Sequence, residues 1–239
     1  MNFDVIFIIF FISIIQSIFG TGVLLFGTPI LLLIGYTFEN TLAILLPTSI
    51  LINLFQIKDN YKNIDKKFYK NLILFCLPLI IITLYIANLN LFKANIFIGI
   101  FLIIISTQFY LDSIKKILKY LLTHEPQYLI IMGVLHGLTN LGGTLLSGAI
   151  LSKDLSKNSK RVTIAISYFS MALIQVATLI FLINPRIFIN KTYPLYWVLG
   201  LVIFFIVERY FYPSVNEKMY HKYSNVFLFT IGVLLIFYN

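Results

Sequence analysis

"HGLTNLGGTLLSG", residues 136–148, sits inside an apolar stretch that would otherwise read as one membrane-spanning helix. It opens on a histidine, carries an asparagine, and holds Gly137, Gly142, Gly143 and Gly148. Each is a poor choice for a helix bathed in lipid, because glycine weakens the helix and polar groups at membrane depth are costly. The stretch therefore predicts a break in the helix, placed where protein or a wet cavity surrounds it.

The same pattern recurs 120 residues earlier. "IIQSIFGTGVLLFG" (14–27) lies over "VLHGLTNLGGTLLS" (134–147), so that Gln16 meets His136, Gly20 meets Asn140 and Gly22 meets Gly142. About one helix further on, Gln56 meets Gln175 at a shift of 119. Identity is thin, and the matched polar positions carry the inference of a duplication.

Composition fixes the solvent. The 239 residues are 59% hydrophobic and 11% charged, more apolar surface than a soluble domain of this size can hide. Long apolar runs recur throughout, most of them near the roughly 20 residues needed to cross hydrocarbon. The expected fold is all-α and polytopic, a single integral membrane domain of two repeats, 1–122 and 123–239. The first holds a hairpin over 5–36 and helices over 41–57, 71–89 and 94–111. The second holds a hairpin over 126–151 and helices over 162–183, 194–211 and 222–238.

Loop charges choose between a broken span and a re-entrant hairpin. If 126–151 crosses the membrane, Lys and Arg divide ten to eight between the faces. If it enters and leaves on one face, they divide fifteen to three, with "KDNYKNIDKKFYK" (58–70) and "SKDLSKNSKR" (152–161) together inside. The positive-inside rule favours the second arrangement. Six crossings and two hairpins follow, with both termini outside and three crossings per half. An odd number inverts the second half relative to the first, the plan of many secondary transporters. The net charge of +9 then reflects orientation and lipid headgroups rather than nucleic acid. The opening "MNFDVIFIIF" lacks the basic start of a cleaved signal and reads as part of the mature chain.

Behind each break a short helix begins, near 22 and near 142, with its N-terminal amides and positive dipole end toward mid-membrane. Two such ends make an electropositive site without a buried lysine, suited to a small anion. The candidate substrate-binding residues are Gln16, Gly20, Thr21, Gly22, Thr48, Asn53, Gln56, His136, Thr139, Asn140, Gly142, Gly143, Ser167, Ser170 and Gln175. Gln56 and Gln175 can equally be hydrogen-bonding glue between helices. Ser147, Gly148, Gly27 and Gly35 read as packing residues, and Pro29, Pro47 and Pro78 as kinks. His136 is the one ordinary titratable candidate for a proton step, though it can also simply cap the hairpin. Arg161 reads as an interfacial anchor rather than an entry guide.

Every acidic residue falls at a segment end or in a loop, against a sodium cage or a carboxylate relay. One cysteine, Cys76, allows no internal disulfide and no cysteine metal cage. The sequence points to no cofactor, no metal and no enzyme. An intramembrane enzyme built on His136 would lack a partner cluster, since His124 and His221 sit in loops. No G-x-x-x-x-G-K-[ST] loop is present, so transport would be secondary or facilitated, and a passive anion channel stays open as the alternative. The partners expected are a small anion, protons and the bilayer; a homo-oligomer is compatible with the pattern.

"GVLHGLTNLGGTLLS" followed by "RVTIAISYFSMALIQ" resembles the second-half motif of the sulfite exporter TauE/SafE family, and "IQSIFGTGVLLFGTPILLLIG" followed by "LAILLPTSILINLFQ" resembles its first half. The resemblance covers roughly 14–57 and 132–176. It implies a bacterial or archaeal inner-membrane permease for sulfite, sulfonates or related organosulfur anions, often moved outward. Gly20, Gly22, Pro29, His136, Gly137, Asn140, Gly142, Gly143 and Gln175 match motif positions. Val23 and Leu24 stand where the family commonly has small residues, a departure that bears on the substrate rather than the fold.

Overall fold

The computed structural model describes residues 2–19, 22–58, 61–89, 94–107, 116, 120–211 and 217–237. Among them are helices and no strands. We number the helices α1 (Phe3–Phe19), α2 (Val23–Leu33), α3 (Phe38–Lys58), α4 (Lys66–Ala87), α5 (Ala94–Thr107), α6 (Glu125–Thr139), α7 (Gly143–Leu151), α8 (Lys157–Ile183), α9 (Tyr193–Phe211) and α10 (Glu217–Phe237). By length and composition α3, α4 and α8 can each cross a membrane; α5 is apolar but shorter over its described residues. The helix expected over 94–111 is described only to Thr107, and 108–111 lie outside the described residues.

Helix ends follow caps rather than the edges of apolar runs. Asp65 accepts from the Phe68 amide at 3.0 Å, and Ser156 accepts from the Ser159 amide at 3.2 Å. These caps start α4 and α8 five residues before the expected 71 and 162. Within α4 a π-helical turn, Leu72–Cys76, leads into Pro78. Proline offers no amide to the carbonyl four residues back, and the wider turn absorbs that loss.

The halves interlock by a repeated pattern of neighbours. α1 packs on α9 as α6 packs on α4, α2 on α3 as α7 on α8, and α3 on α9 as α8 on α4. α3 lies against α8, and α5 against α10. Glycines set the closest crossings. A Cβ on Gly99 would lie 2.7 Å from the Gly232 carbonyl oxygen, and one on Gly232 would lie 2.8 Å from that of Gly99. Gly133 and Gly137 bring α6 against the α4 backbone at Cys76 and Ile80.

Gly27 packs as expected, against Leu45 and Ile12, while Gly148 meets only the Tyr128 hydroxyl at 3.9 Å. Gly35 differs from expectation. It has φ +94 and open space around its Cβ position, so it is a helix stop rather than a packing residue. Its amide bonds to Leu32 O and that of Tyr36 to Leu31 O, the paired bonds of a Schellman cap, which favours glycine.

Each interrupted helix pair closes at its own base. Asn2 Nδ2 donates to the Tyr36 hydroxyl at 2.6 Å, and the Asn2 amide to the Tyr196 hydroxyl at 2.9 Å. At the opposite end of the molecule Lys153 Nζ contacts Glu125 Oε2 at 2.8 Å and Asp65 Oδ2 at 3.0 Å. Lys153 also lies 4.6 Å from the centre of the Phe68 ring, and Asn71 holds the other Glu125 oxygen at 2.7 Å. Nearby, Arg161 pairs with Glu208. The lysine of the 152–161 segment therefore sits at the same end as the 58–70 segment.

Candidate functional site

At the first break the chain reverses. A Cβ on Gly22 would lie 2.9 Å from the Gln16 amide nitrogen and 2.8 Å from Ile15 Cγ2. Six residues along a straight helix would separate these positions by about 9 Å. The Val23 amide, first in α2, donates to Gln16 Oε1 at 3.1 Å. Gln16 is buried and caps the helix that follows it from seven residues back. Gly20 and Thr21 lie outside the described residues.

The second break has the same plan with more bonds. Asn140 ends α6 at φ 61, left-handed and the one positive φ outside glycine among the described residues. Asparagine tolerates that region better than other side chains. Its amide donates to His136 O at 2.7 Å, and its Nδ2 reaches Thr28 Oγ1 of α2 at 2.9 Å. The Leu141 amide donates to Thr139 Oγ1, and the Gly142 amide to His136 Nδ1 at 3.1 Å. Because Nδ1 accepts, the ring hydrogen belongs on Nε2, which donates to Gln175 Oε1 at 3.1 Å. His136 and Gln175 are both fully buried.

The glycines here are spaces already filled by protein. A Cβ on Gly142 would lie 2.6 Å from His136 Cβ, and one on Gly143 would overlap the Tyr168 phenol. The amides expected to face a ligand unaided are thus capped at Val23, Leu141 and Gly142 by side chains of the chain itself.

The remaining candidates divide. Thr48 bonds Ile44 O, and its methyl carbon would lie 2.5 Å from a Cβ on Gly200. Ser167 bonds Thr163 O, and Ser170 pairs with the Tyr69 hydroxyl at 2.8 Å. Asn53 Nδ2 bonds Ser49 Oγ. Four polar atoms among the candidates are buried without a partner: Gln56 Nε2, Gln175 Nε2, Asn53 Oδ1 and Asn140 Oδ1. Buried polar atoms are nearly always satisfied, so unpaired donors in a protein interior mark places where a ligand or water can bind.

The polar residues do not form one ring. Glu39 bonds Asn184 at 3.3 Å, so these two share a level. Gln175 lies nine residues from Asn184 and Gln56 seventeen from Glu39, a depth difference of about 12 Å at 1.5 Å per residue. The structure joins His136, Gln175 and the second tip directly, and joins Gln16 to the first tip. It brings Thr28 of one half to Asn140 of the other.

Thr28 and Tyr168 were not singled out from the sequence. Tyr168 could have been suspected, since it stands seven residues, two helical turns, from Gln175 on α8. No Asp, Glu, Lys or Arg is buried among the described residues, and no group of three or more His, Cys, Asp or Glu could hold a metal ion among them.

A family model described as sulfite exporter TauE/SafE matches residues 5–235. No curated protein and no solved structure matches the chain.

Proposed function

The chain belongs to the sulfite exporter TauE/SafE family, and from that premise we propose that it is a secondary, non-ATP permease for a small sulfur-containing anion such as sulfite or an organosulfonate. The family is a transporter family, and the apolar helices suit a multi-pass membrane protein. In this reading the membrane is bacterial or archaeal and cytoplasmic, with both termini outside.

The architecture proposed is an inverted repeat, each half contributing one re-entrant hairpin and three crossings. Two contacts support it. Asn2 meets Tyr36 at the base of α1–α2, and Glu125 meets Lys153 at the base of α6–α7, at opposite ends of the molecule. The exchanged pairing of helices is what a twofold swap of the halves requires.

The observation that carries the substrate class is the pair of unpartnered side-chain amide donors, Gln56 Nε2 and Gln175 Nε2, at matching positions of α3 and α8. They lie in an interior with no buried charge among the described residues. Neutral donors attract an anion without holding it as a buried lysine would. The substrate is proposed to move between them by alternating access, with Thr28 and Asn140 between the halves.

Flux into proteoliposomes tests this. Wild-type protein is expected to move labelled sulfite with saturation, and Asn140→Ala to lower the flux roughly tenfold at normal yield, the scale of one buried hydrogen bond. Conductance that never saturates would point to a channel. Absence of flux for sulfite, thiosulfate and methanesulfonate alike would remove the proposal.

A further inference from the structure

Building on the permease reading above, we propose that Gln175 is the anion-binding donor of the second half and that His136 is a positioning residue, which turns the Gln175 amide toward the substrate and takes up no second proton. The bonds run in one direction. The Gly142 amide donates to His136 Nδ1, and Nε2–H donates to Gln175 Oε1. An amide whose oxygen is engaged must turn its NH2 elsewhere, and Gln175 Nε2 is buried without a partner. Without His136 the two ends of that amide could exchange, and an acceptor oxygen could face the anion instead. The histidine fixes which end is offered.

The same bonds keep a second proton off His136. Its Nδ1 lone pair is occupied by the Gly142 N–H, so a hydrogen on Nδ1 would face another hydrogen and break the cap of α7. The described interior offers no carboxylate to balance an imidazolium. The first half performs the matching cap with Gln16, which cannot titrate in this range. Capping a tip in this fold therefore needs an acceptor, and His136 uses its second ring nitrogen to hold Gln175.

Gln175→Glu separates the roles. A glutamate still accepts from His136 Nε2–H, so the His136 contact survives, but it removes the donor that faces the anion. In full-length protein in nanodiscs, stabilisation is read against each variant's own ligand-free melting temperature, since a carboxylate at this buried position itself costs stability. The sulfite-dependent stabilisation should weaken roughly ten- to a hundredfold in apparent affinity, the loss of a donor to a charged group. With methanesulfonate, whose charge is constant, acidification should restore part of the stabilisation as the glutamate gains a hydrogen to donate. Wild-type stabilisation of Gln175→Glu by sulfite overturns the assignment.

A measurement on unaltered protein covers the case in which that variant does not fold. Nitrogen-15 spectra of labelled histidine should show His136 neutral, with hydrogen on Nε2, both with and without sulfite. An imidazolium, or hydrogen on Nδ1, in either state overturns the assignment while leaving the permease reading intact. Wild-type protein that responds to none of sulfite, thiosulfate and methanesulfonate overturns the permease reading, and this assignment with it.

Discussion

At the first tip Gln16 lends one oxygen to the amide of Val23, whereas at the second His136 lends Nδ1 to Gly142 and keeps Nε2 for Gln175. The positions correspond and both side chains are buried. The second cap also passes its orientation on to a helix 39 residues away in the chain. The bases of the two pairs differ in a similar way. Neutral groups, Asn2, Tyr36 and Tyr196, close the first, and charges on Lys153, Asp65 and Glu125 close the second. Equivalent geometry has been reached with unequal chemistry, so the halves should fail differently.

The largest effect should come from removing what the tips share. A methyl at Gly22 would press on backbone at Gln16, and one at Gly142 on His136 Cβ. Gly22→Ala and Gly142→Ala should each destabilise the protein by about 1–3 kcal/mol, the usual cost of overpacking. Gly148→Ala, with open space around it, should instead be neutral or gain up to about 1 kcal/mol of helix propensity. Melting temperatures of the three variants check this, and equal behaviour of Gly142 and Gly148 would refute it.

The charged base comes next. Lys153→Met should cost about 1–2 kcal/mol, between the values for exposed and buried pairs because all three groups keep some solvent contact. Burial raises the Asp65 pKa, but the Phe68 amide and Lys153 outweigh it and hold the group below its ordinary 3.8. Burial likewise lowers that of Lys153, and its bonds to Glu125 and Asp65 outweigh it, leaving it above 10.5. A lowered carboxylate adds stability above its unfolded value, lost as pH falls through the folded one; a raised lysine adds stability that is lost only as pH rises through its own. Wild type should therefore hold this contribution from about pH 4 to beyond pH 10. In Lys153→Met the acid decline should be shallower, so that its gap to wild type narrows as pH falls, which thermal melts between pH 3 and 6 would show.

The smallest effect belongs to the neutral base. Tyr36→Phe removes the acceptor of Asn2 and should cost about 0.5–1 kcal/mol, with no change in the acid limb. A pH-dependent loss there would erase the contrast between the two ends.

Much of this was legible because the residues that break helices are few and distinctive. His136, Asn140, Gly142 and the matching Gln16 and Gly22 marked both reversals, and lysine positions put 58–70 and 152–161 at one end, where Lys153 meets Asp65. Hydropathy alone places the starts of α4 and α8 late, because Asp65 and Ser156, whose capping role the sequence also carries, fix them. Gly35 reads as a packing residue until the chain direction after α2 reveals a cap. What no pattern along the chain could supply was pairing between distant segments. Tyr168 fills the space beside Gly143, Thr28 meets Asn140 and Gly99 faces Gly232, all through three-dimensional approach alone. The donor ring also looked like a single site, because a sequence lists polar residues without their depth.

The reciprocal contact of Gly99 and Gly232 has a mechanical consequence. Two main chains lying that close exclude lipid tails and side chains alike, and the last helix of each half is riveted to the other at that point. In the alternating access proposed above, the seam should stay shut and serve as the fulcrum, with displacement growing toward the tips. A covalent staple across the seam would then leave turnover unharmed.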